Sequence, residues 1–391
     1  MFEIVDKEDP GLTIIKVIGV GGAGGNAVEH MIREGVQGVE FICVNTDSQA
    51  LKKSSASNKL QLGPGLGAGG KPEKARVLAQ NDRERLADLI RGAHMVFITA
   101  GMGGGTGTGA APILAEVARE QGILTVAVVT KPFEYEGRRM TLAEQGLNEL
   151  AQHVDSLIVI LNEKLMEVMG DEVSMLDAFK AADNVLKNAV GGISEIINVP
   201  GLVNVDFEDV RTVMGEMGKA MMGSAVAAGV DRARIAAEQA VASPLLEGIE
   251  LSGARGVLVN ITANQSLGLK EVKEVMNTIR NYAAKDATII FGTVYEDSME
   301  DQLRVTVVAT GLGGVIARSQ HKPEISVVPS LRTGTDDRSV DAPGHGMLDL
   351  DGLPPVFQSG RSGARNATVD EMRNSGVDKY DIPAFLRRQA D

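Results

Sequence analysis

Residues 101–109, Gly-Met-Gly-Gly-Gly-Thr-Gly-Thr-Gly, are the stretch that decides the fold. The apolar run at 95–100 before it predicts a buried strand, and the apolar spacing in 110–121 after it predicts a helix. Glycine lets the backbone turn tightly and bring N–H groups close to a phosphate, and a helix N-terminus adds partial positive charge. The stretch therefore predicts a phosphate-binding loop rather than a flexible linker. It is not a Walker-type P-loop, because it contains no lysine.

The composition is that of a globular chain. Its 391 residues suggest two or three domains, and 43% of them are apolar. No apolar run reaches the roughly 18 residues of a membrane span, residues 1–10 do not resemble a signal peptide, and the single cysteine, Cys43, excludes internal disulfides. The net charge of −13 argues against a basic nucleic-acid-binding face. We expect a cytoplasmic protein that neither binds nucleic acid nor inserts into a membrane.

Two more glycine-rich segments precede the first one. Residues 19–26 follow an apolar run, and Gly19, Gly21 and Gly24 fit the Gly-x-Gly-x-x-Gly pattern of dinucleotide-binding proteins. With Asp47 as a ribose-binding acid, this segment alone is compatible with an NAD-dependent dehydrogenase. Residues 63–70 form the next segment. Three glycine segments instead favour a nucleotide whose several phosphates are contacted from different sides.

The remaining pattern predicts an α/β fold with a parallel sheet. Strands are expected at 12–20, 39–44, 122–129 and 154–161, and Asn162 follows the last of these at its carboxyl end, where open α/β sheets bind ligands. Apolar residues at three- and four-residue steps predict one long helix over 174–198. After it, helices at 211–228, 231–242 and 267–283 and strands at 256–263, 287–294 and 303–310 predict a second α/β domain.

Several residues have two interpretations on local evidence. Phe179 is expected in the core and Asp183 in solvent, although both share a face of the long helix. Asp206 and Asp209 stand where carboxylates cap a helix start. The charged segment at 136–139 is either a solvated cluster or part of a site.

The C-terminal part differs in character. Residues 319–379 contain five of the thirteen prolines and no apolar periodicity, which predicts a disordered linker. Apolar residues then return in a tail whose spacing suits a short helix docking into a groove. We expect this tail to bind a partner protein through Asp381, Ile382, Pro383, Phe385, Leu386 and Arg387.

The chain resembles the tubulin-like GTPases and, among them, the bacterial cell-division proteins of the FtsZ family. The resemblance rests on Gly-Gly-Gly-Thr-Gly-Thr-Gly at 103–109, Asn-Val-Asp-Phe-Glu-Asp-Val at 204–210 and Asp-Ile-Pro-Ala-Phe-Leu at 381–386. It covers about residues 12–316 and resumes at 381. It implies a tubulin-like fold with a Rossmann-like GTPase domain, a long central helix and a second α/β domain.

The resemblance implies a GTP/GDP site with Mg²⁺. The residues that it places at the phosphates are Gly21, Gly22, Ala23, Gly24, Gly25, Ala68, Gly69, Gly70, Gly103, Gly104, Gly105, Thr106, Gly107, Thr108 and Gly109. Those that it places at the ribose and guanine are Asn26, Glu136, Arg139, Asn162, Phe179 and Asp183. A carboxylate suits guanine, because it accepts hydrogen bonds from the N1 and N2 donors that adenine does not offer in that pattern.

The resemblance also implies where hydrolysis occurs. Asn204, Asp206 and Asp209 would lie on the face away from the nucleotide and complete the site of the next subunit in a head-to-tail filament. The filament would build the cytokinetic ring at the inner face of the membrane, and the tail would bind membrane-tethering adaptors and regulators. The residues that bind the metal are not identified by any pattern in the sequence.

The sequence departs from the family pattern at a few positions. Ala23 replaces a glycine, and Lys71 and Ala75 stand where asparagine and glycine are usual. Lys71 either adds charge near the γ-phosphate or points into water, and we expect it to point into water. Leu161 and Glu163 replace the usual proline and aspartate around Asn162. Only two basic residues, at 138–139, precede Met140, which also departs from the family pattern. Of these two, Arg139 is the expected nucleotide contact, in preference to Arg138.

The predicted organisation has six parts: an N-terminal extension at 1–11, a GTP-binding domain at 12–173, a central helix at 174–199, a second domain at 200–316, a linker at 317–380 and a partner-binding peptide at 381–391. Two alternatives stay open at this point. One is the NAD-dependent oxidoreductase, and the other is a tubulin-like filament for a different cargo, such as a plasmid.

Overall fold

The computed structural model describes residues 13–170, 173–199, 203, 205–215, 218–243, 254–284 and 286–312. The predicted N-terminal extension, the linker, the partner-binding peptide and Asn204 lie outside the described residues.

Among the described residues, ten strands form one sheet with the order β3-β2-β1-β4-β5-β6-β7-β10-β8-β9. Strands β1 to β6 pair in parallel, β7 pairs in parallel with β6, and β10 runs antiparallel to both β7 and β8. The strands are β1 Ile15–Val20, β2 Glu40–Asn45, β3 Asn58–Gln61, β4 Met95–Gly101, β5 Leu124–Lys131, β6 Ser156–Leu161, β7 Gly218–Ala228, β8 Gly256–Ala263, β9 Thr288–Tyr295 and β10 Gln302–Leu312. The predicted α/β class with a parallel sheet is confirmed.

The helices cover both faces of this sheet. They are α1 Gly21–Arg33, α2 Ser48–Lys53, α3 Pro72–Asn81, α4 Arg83–Ile90, α5 Thr106–Glu120, α6 Arg138–Leu150, α7 Asn162–Met169, α8 Met175–Asn198, α9 Phe207–Met214, α10 Arg232–Val241 and α11 Leu269–Tyr282. Within the described ranges, no helix is long and apolar enough to cross a membrane.

Alternate residues of a central strand feed different cores, because successive side chains point to opposite faces. In β1, Ile15 and Val17 join a cluster with α1 and α8, whereas Ile18 and Val20 join a cluster with α4 and α5. A third cluster lies between α10, α11 and the strands β8 and β10. β1 is therefore buried on both faces, as expected for a central parallel strand.

The long helix predicted at 174–198 is confirmed as α8. Ser174 caps its start, with its side-chain oxygen accepting a hydrogen bond from the backbone N–H of Asp177. Leu186, Val190 and Ile193 are buried, and the helix contacts α1 and β5 as well as β8, β9 and β10. α8 thus extends from the middle of the sheet order, at β5, to the end at β9. Because β6 and β7 are hydrogen-bonded across the boundary predicted there, the sheet is continuous, and the division into two domains stays a prediction.

The helix predicted at 211–228 is wrong. α9 ends at Met214, and residues 218–228 form β7, which pairs with β6 on one side and β10 on the other. The strand sequence, Gly-Lys-Ala-Met-Met-Gly-Ser-Ala-Val-Ala-Ala, is rich in good helix formers and lacks a clear two-residue alternation. Pairing on both sides overrides that local preference.

Some element ends also differ from the sequence pattern. α1 begins at Gly21 and α5 at Thr106, directly inside the glycine segments. Pro72 opens a helix in the sequence pattern, bearing Val77, Leu78 and Leu86, but the structure breaks this helix at Asp82 into α3 and α4. The four-residue strand β3 was not predicted.

The two edges of the sheet are β3 and β9. β3 has four residues, of which Asn58 and Lys59 are exposed. The outer side of β9 is met by Val203, whose carbonyl oxygen accepts a 3.1 Å hydrogen bond from the Thr293 backbone N–H.

Candidate nucleotide site

The three glycine segments meet at the start of α5. A Cβ atom added to Gly21 would lie 2.9 Å from the backbone nitrogen of Gly107, so the first segment touches the third. A Cβ atom added to Gly105 would lie 2.8 Å from Ala68 Cβ and 3.1 Å from the backbone nitrogen of Lys71, so the second segment also touches the third. A side chain at either glycine would separate segments that the fold brings into contact. The predicted convergence of the three segments is therefore present in the structure.

Two helices begin in this region without a side-chain cap. α1 starts after Val20 and α5 after Gly105, and neither residue caps its helix through a side chain. Each start leaves backbone N–H groups without intrahelical partners and carries partial positive charge. The arrangement is suited to binding an anion, such as a phosphate chain.

Three glycines beside these helix starts border open space. Gly22, Gly25 and Gly104 do not have a positive φ angle, and a Cβ atom added to any of them would meet no other atom within 4 Å. Neither backbone strain nor packing within the subunit explains glycine at these positions. A ligand that fills the space explains all three. A cavity of about 310 Å³ adjoins Gly22, Gly25 and the predicted guanine contact Asn26, which is exposed.

The hydroxyl groups of the third segment have different surroundings. Thr108 is buried, and its Oγ1 accepts a 2.9 Å hydrogen bond from the Gly103 backbone N–H. Thr106 is only partly buried and shares a 2.7 Å hydrogen bond with Thr46 Oγ1. Thr108 thus shapes the segment, whereas Thr106 lies closer to the open side. Thr46 was not among the predicted site residues, because no glycine or charge pattern marks it.

Asn162 contributes a buried group without a partner. It is 6% exposed, and its Oδ1 atom makes no hydrogen bond with any described residue. A buried amide oxygen in this state costs free energy unless a donor reaches it. Asn162 follows β6 at the carboxyl end of the sheet, on the same side as the glycine segments.

Asp183 and Phe179 lie on α8 with the environments opposite to those expected from local pattern. Phe179 is 46% exposed rather than in the core, with its ring edge-to-face on buried Phe133 at 6.2 Å. Asp183 is partly buried rather than solvated, and burial raises the pKa of its carboxyl to about 6, opposed by the nearby His30. An exposed aromatic ring and a partly desolvated carboxylate suit a planar base that carries hydrogen-bond donors.

The segment after β5 connects this aromatic group to the third glycine segment. Glu136 accepts a 3.0 Å hydrogen bond from the Phe133 backbone N–H and forms an ion pair with Arg139. A Cβ atom on Gly103 would lie 2.6 Å from the Arg139 carbonyl oxygen. Arg138 is exposed at the start of α6. Phe133 was not among the predicted site residues, although it is one of only nine phenylalanines in the chain.

Asp47 does not stand free for a ribose. It caps α2, and its carboxylate accepts a 2.8 Å hydrogen bond from the Gln49 backbone N–H. The residue that supported the dehydrogenase alternative therefore has a local structural role.

Asp206 and Asp209 lie near the amino-terminal end of β4, away from the glycine segments. Both are exposed, and Asp206 caps α9 by accepting a 2.8 Å hydrogen bond from the Asp209 backbone N–H. Phe207, which follows Asp206, contacts the ring of His94 at a centroid distance of 6.0 Å. His94 directly precedes β4. The third glycine segment follows the opposite end of β4, about 20 Å away along its seven residues. The structure does not bring these carboxylates to the glycine segments of the same subunit.

The described residues contain no group of three or more His, Cys, Asp or Glu side chains placed to hold a metal ion. Mg²⁺ therefore stays an expectation of the resemblance.

Comparisons with known proteins agree with this geometry. Residues 14–170 match the family model described as the Tubulin/FtsZ family, GTPase domain, and residues 218–313 match the FtsZ family, C-terminal domain. The fold and site thus define a tubulin-like GTPase.

Relatives extend the match over the whole chain. The cell division protein FtsZ of Pseudomonas aeruginosa is 53% identical over 396 residues, covering 100% of both chains, and that of Coxiella burnetii is 52% identical, covering 99% of both. The chain therefore belongs to the FtsZ family of tubulin-like GTPases, and the GTPase assignment replaces the dehydrogenase alternative.

Solved structures show the same fold. An empty FtsZ dimer from M. jannaschii matches with a TM-score of 0.73 at 42% identity, covering 77% of this chain and 88% of that one. CetZ2 from Haloferax volcanii, in a GTPγS-bound protofilament, matches with a TM-score of 0.67 at 21% identity, covering 77% and 94%, and this likeness concerns the fold alone.

Proposed function

We propose that this protein polymerises head to tail into filaments that form the cytokinetic ring in bacterial division, and that GTP is hydrolysed at each subunit interface with Asp206 and Asp209 supplied by the neighbouring subunit. The observation that carries the proposal is the separation of the two half-sites. The glycine segments lie at one end of β4 and the α9 carboxylates lie at the other. One subunit holds both halves but cannot join them, whereas two stacked subunits can.

In this proposal GTP lies across the start of α5. The glycine segments bind its phosphates, Glu136 and Arg139 contact the ribose or a phosphate, and Phe179 packs on the guanine. Asp183 accepts hydrogen bonds from guanine N1 and N2, and Asn162 Oδ1 accepts a further donor, which satisfies a buried atom that is otherwise unpaired. Asn26 contributes from α1.

The reaction is attack of water on the γ-phosphate. Asp206 and Asp209 of one subunit orient the water held at the γ-phosphate of the next, and a carboxylate can accept its proton. Backbone N–H groups at the uncapped starts of α1 and α5 stabilise the charge that spreads over the phosphate oxygens. Asn204, which precedes this pair in the sequence, is proposed to position the same water.

A head-to-tail contact joins unlike faces, so it does not close and grows into a filament. The FtsZ dimer from M. jannaschii shows that a protein of this fold at 42% identity self-associates. GTP in each joint couples its hydrolysis to disassembly. The same proposal places the protein in the cytoplasm, assembled at the inner face of the membrane at the division site. There the tail at 381–391 binds membrane-tethering adaptors and regulators.

The decisive experiment is the rate of GTP hydrolysis against protein concentration, with Mg²⁺ present. We expect almost no hydrolysis below a threshold concentration and a linear rise above it, because the site forms only between subunits. A rate proportional to concentration from the origin would show a complete site within one subunit and would contradict the proposal.

Variants of α9 assign the carboxylates. Asp209→Ala should lower hydrolysis above the threshold by about a hundredfold or more, as expected for a group that orients or deprotonates the attacking water. Glu208→Ala is the matched control, because Glu208 is exposed in the same turn and pairs only with Arg211, at 3.7 Å, among the described residues. Asp206→Asn keeps the helix cap but removes the charge, so it should lose activity without losing stability. Equal losses in Glu208→Ala and Asp209→Ala would reject the specific role.

The alternative of a tubulin-like filament for another cargo makes a different prediction for the tail. Deleting residues 381–391 should abolish recruitment to the division site and leave threshold-dependent hydrolysis intact. Unchanged recruitment would contradict the adaptor role.

A further inference from the structure

The third glycine segment has a direction that orders the nucleotide on it. Its Gly103 end adjoins the aromatic group, since a Cβ atom there would lie 3.1 Å from Pro132 Cγ, and Phe133 next to Pro132 carries the Phe179 contact. Its Gly105 end adjoins Ala68 and Lys71 of the second segment. A nucleotide with its base on Phe179 and its phosphates along this segment therefore places its terminal phosphate beside residues 68–71.

Lys71 breaks a local rule of helix structure at this end. It occupies the N-cap of α3, makes no side-chain cap and is exposed. The N-cap favours Asn, Asp, Ser or Thr, and a cation near a helix N-terminus is unfavourable. Three residues later, Lys74 instead donates a 2.9 Å hydrogen bond to the Gly67 carbonyl oxygen.

Nothing within the described part of the subunit compensates for this placement, because the Lys71 ammonium has no hydrogen bond or ion pair there. Violations of local rules without a structural gain concentrate at functional sites. Gly69 and Gly70 just before it have φ angles of 63° and 70°, and a Cβ atom added to either would meet no other atom within 4 Å, so the chain turns sharply beside open space. A free ammonium group at the edge of an anion cradle is placed to bind a phosphate.

We propose that Lys71 binds the terminal phosphate of the nucleoside triphosphate and thereby makes the subunit prefer GTP over GDP. The inference rests on the proposed function, because it requires GTP in the glycine cradle. The terminal phosphate carries charge that GDP lacks, and a lysine contributes a mobile point charge that needs no fixed geometry.

The test is competition between GTP and GDP for a fluorescent nucleotide, at protein concentrations below the hydrolysis threshold. Lys71→Asn should weaken GTP binding about tenfold, as expected for loss of a charge-assisted contact, and change GDP binding less than twofold. Lys71→Arg should keep most of the preference. Because asparagine is a good N-cap, Lys71→Asn should not lower the melting temperature, which separates the effect from misfolding.

Lys52→Asn is the matched control. Lys52 is also an exposed lysine at a helix end, but it lies in the last turn of α2, where a cation is favourable. It should leave the preference for GTP unchanged.

The outcomes separate the possibilities. Equal weakening of GTP and GDP by Lys71→Asn, or no change in either, would overturn the role at the terminal phosphate. A change in assembly or hydrolysis with both affinities unchanged would also overturn it and would place Lys71 at the next subunit. If the wild-type protein bound neither nucleotide, the proposed function itself would fail.

Discussion

The glycine cradle, which the three glycine segments form with the starts of α1 and α5, and the start of α9 both contain helix N-termini. They differ in how their polar groups are satisfied. In the cradle, α1 and α5 have no side-chain caps, and Asn162 Oδ1 is buried without a described partner. At α9, Asp206 caps the helix, and both carboxylates are exposed. The cradle is therefore suited to a ligand, because the backbone donors at its helix starts have no side-chain cap and Asn162 Oδ1 has no donor among the described residues. At the α9 start the helix is already capped within the subunit, so a reaction of its exposed carboxylates requires a second molecule, such as the neighbouring subunit.

The largest expected effect would come from filling the cradle. Gly22→Ala should abolish GTP binding, a loss of at least about a hundredfold, because its Cβ enters the space assigned to phosphate at an uncapped helix start. It should not destabilise the subunit, since that Cβ meets no atom of the protein within 4 Å. Isothermal titration with GTP and thermal unfolding without nucleotide measure the two effects.

Gly191→Ala is the matched control for this substitution. Gly191 lies within α8, and a Cβ there meets only Glu195 Oε1 at 3.5 Å, an ordinary contact. Both variants gain helix propensity, worth up to about 1 kcal/mol. Full GTP binding by Gly22→Ala would break the comparison, because the open space would then not be a ligand site.

An intermediate effect should appear at Asp183, whose partly buried carboxylate destabilises the nucleotide-free subunit but favours GTP binding. Asp183→Asn should weaken GTP binding about thirtyfold, since an amide cannot replace a carboxylate that accepts two donors. The same variant should stabilise the nucleotide-free subunit at pH 7.5 by about 1 kcal/mol, because burial penalises the charged carboxylate but partial contact with water limits the gain. Calorimetry of the apo protein measures the gain in stability, and titration with GTP measures the loss of affinity.

The pH dependence of Asp183 follows from its folded-state pKa of about 6, which lies above the unfolded value. The folded carboxyl therefore holds a proton more readily, so its penalty on apo stability is full above the folded pKa, declines as the pH falls below about 6 and is gone below the unfolded pKa. GTP affinity should move the opposite way and decrease over the same range, because the protonated carboxyl cannot accept both donors. A variant Asp183→Asn whose stability advantage is the same at pH 5 and pH 7.5 would contradict the assignment.

The smallest effect concerns the anchoring of α9. His94 Nδ1 accepts a 3.0 Å hydrogen bond from the Ile14 backbone N–H, and its ring contacts Phe207. His94→Asn keeps an acceptor and loses the ring, whereas His94→Phe keeps the ring and loses the acceptor. If the ring contact positions α9, His94→Asn should lower hydrolysis above the threshold by about two- to fivefold, the size of an aromatic pair contribution, and His94→Phe should not.

Nucleotide affinity below the threshold should be unchanged in both His94 variants, because the cradle lies at the other end of β4. A loss of GTP affinity in His94→Asn would show that the two regions are not independent.

The sequence predicted the parts of the fold that local pattern determines. The first and third glycine segments, the strands before them and α8 follow from periodicity and glycine placement. β7 could not be predicted in the same way, because its Ala, Met and Gly residues favour no strand until β6 and β10 pair with it. β3 is too short to show a pattern.

The residues of the candidate site likewise divide into those that local pattern predicts and those that depend on tertiary contacts. The glycine segments predict phosphate binding from the sequence alone. The exposure of Phe179 and the burial of Asp183, in contrast, depend on how α8 packs against Phe133 and α1. The role of Asp206 as a cap was foreseen from its position, whereas its possible role in a neighbouring subunit came only from the family resemblance. Roles that require another molecule leave no periodic trace in the chain.

The edges of the sheet restrict how copies of this subunit can associate. β3 is short and presents Lys59, and Val203 occupies the outer side of β9 at Thr293. Short, charged or covered edges resist the addition of a strand from another molecule. Sideways growth through backbone pairing, the route to amyloid-like aggregation, is therefore disfavoured. In the proposed assembly at the membrane, where subunits would be concentrated, such edges would favour ordered elongation over precipitation.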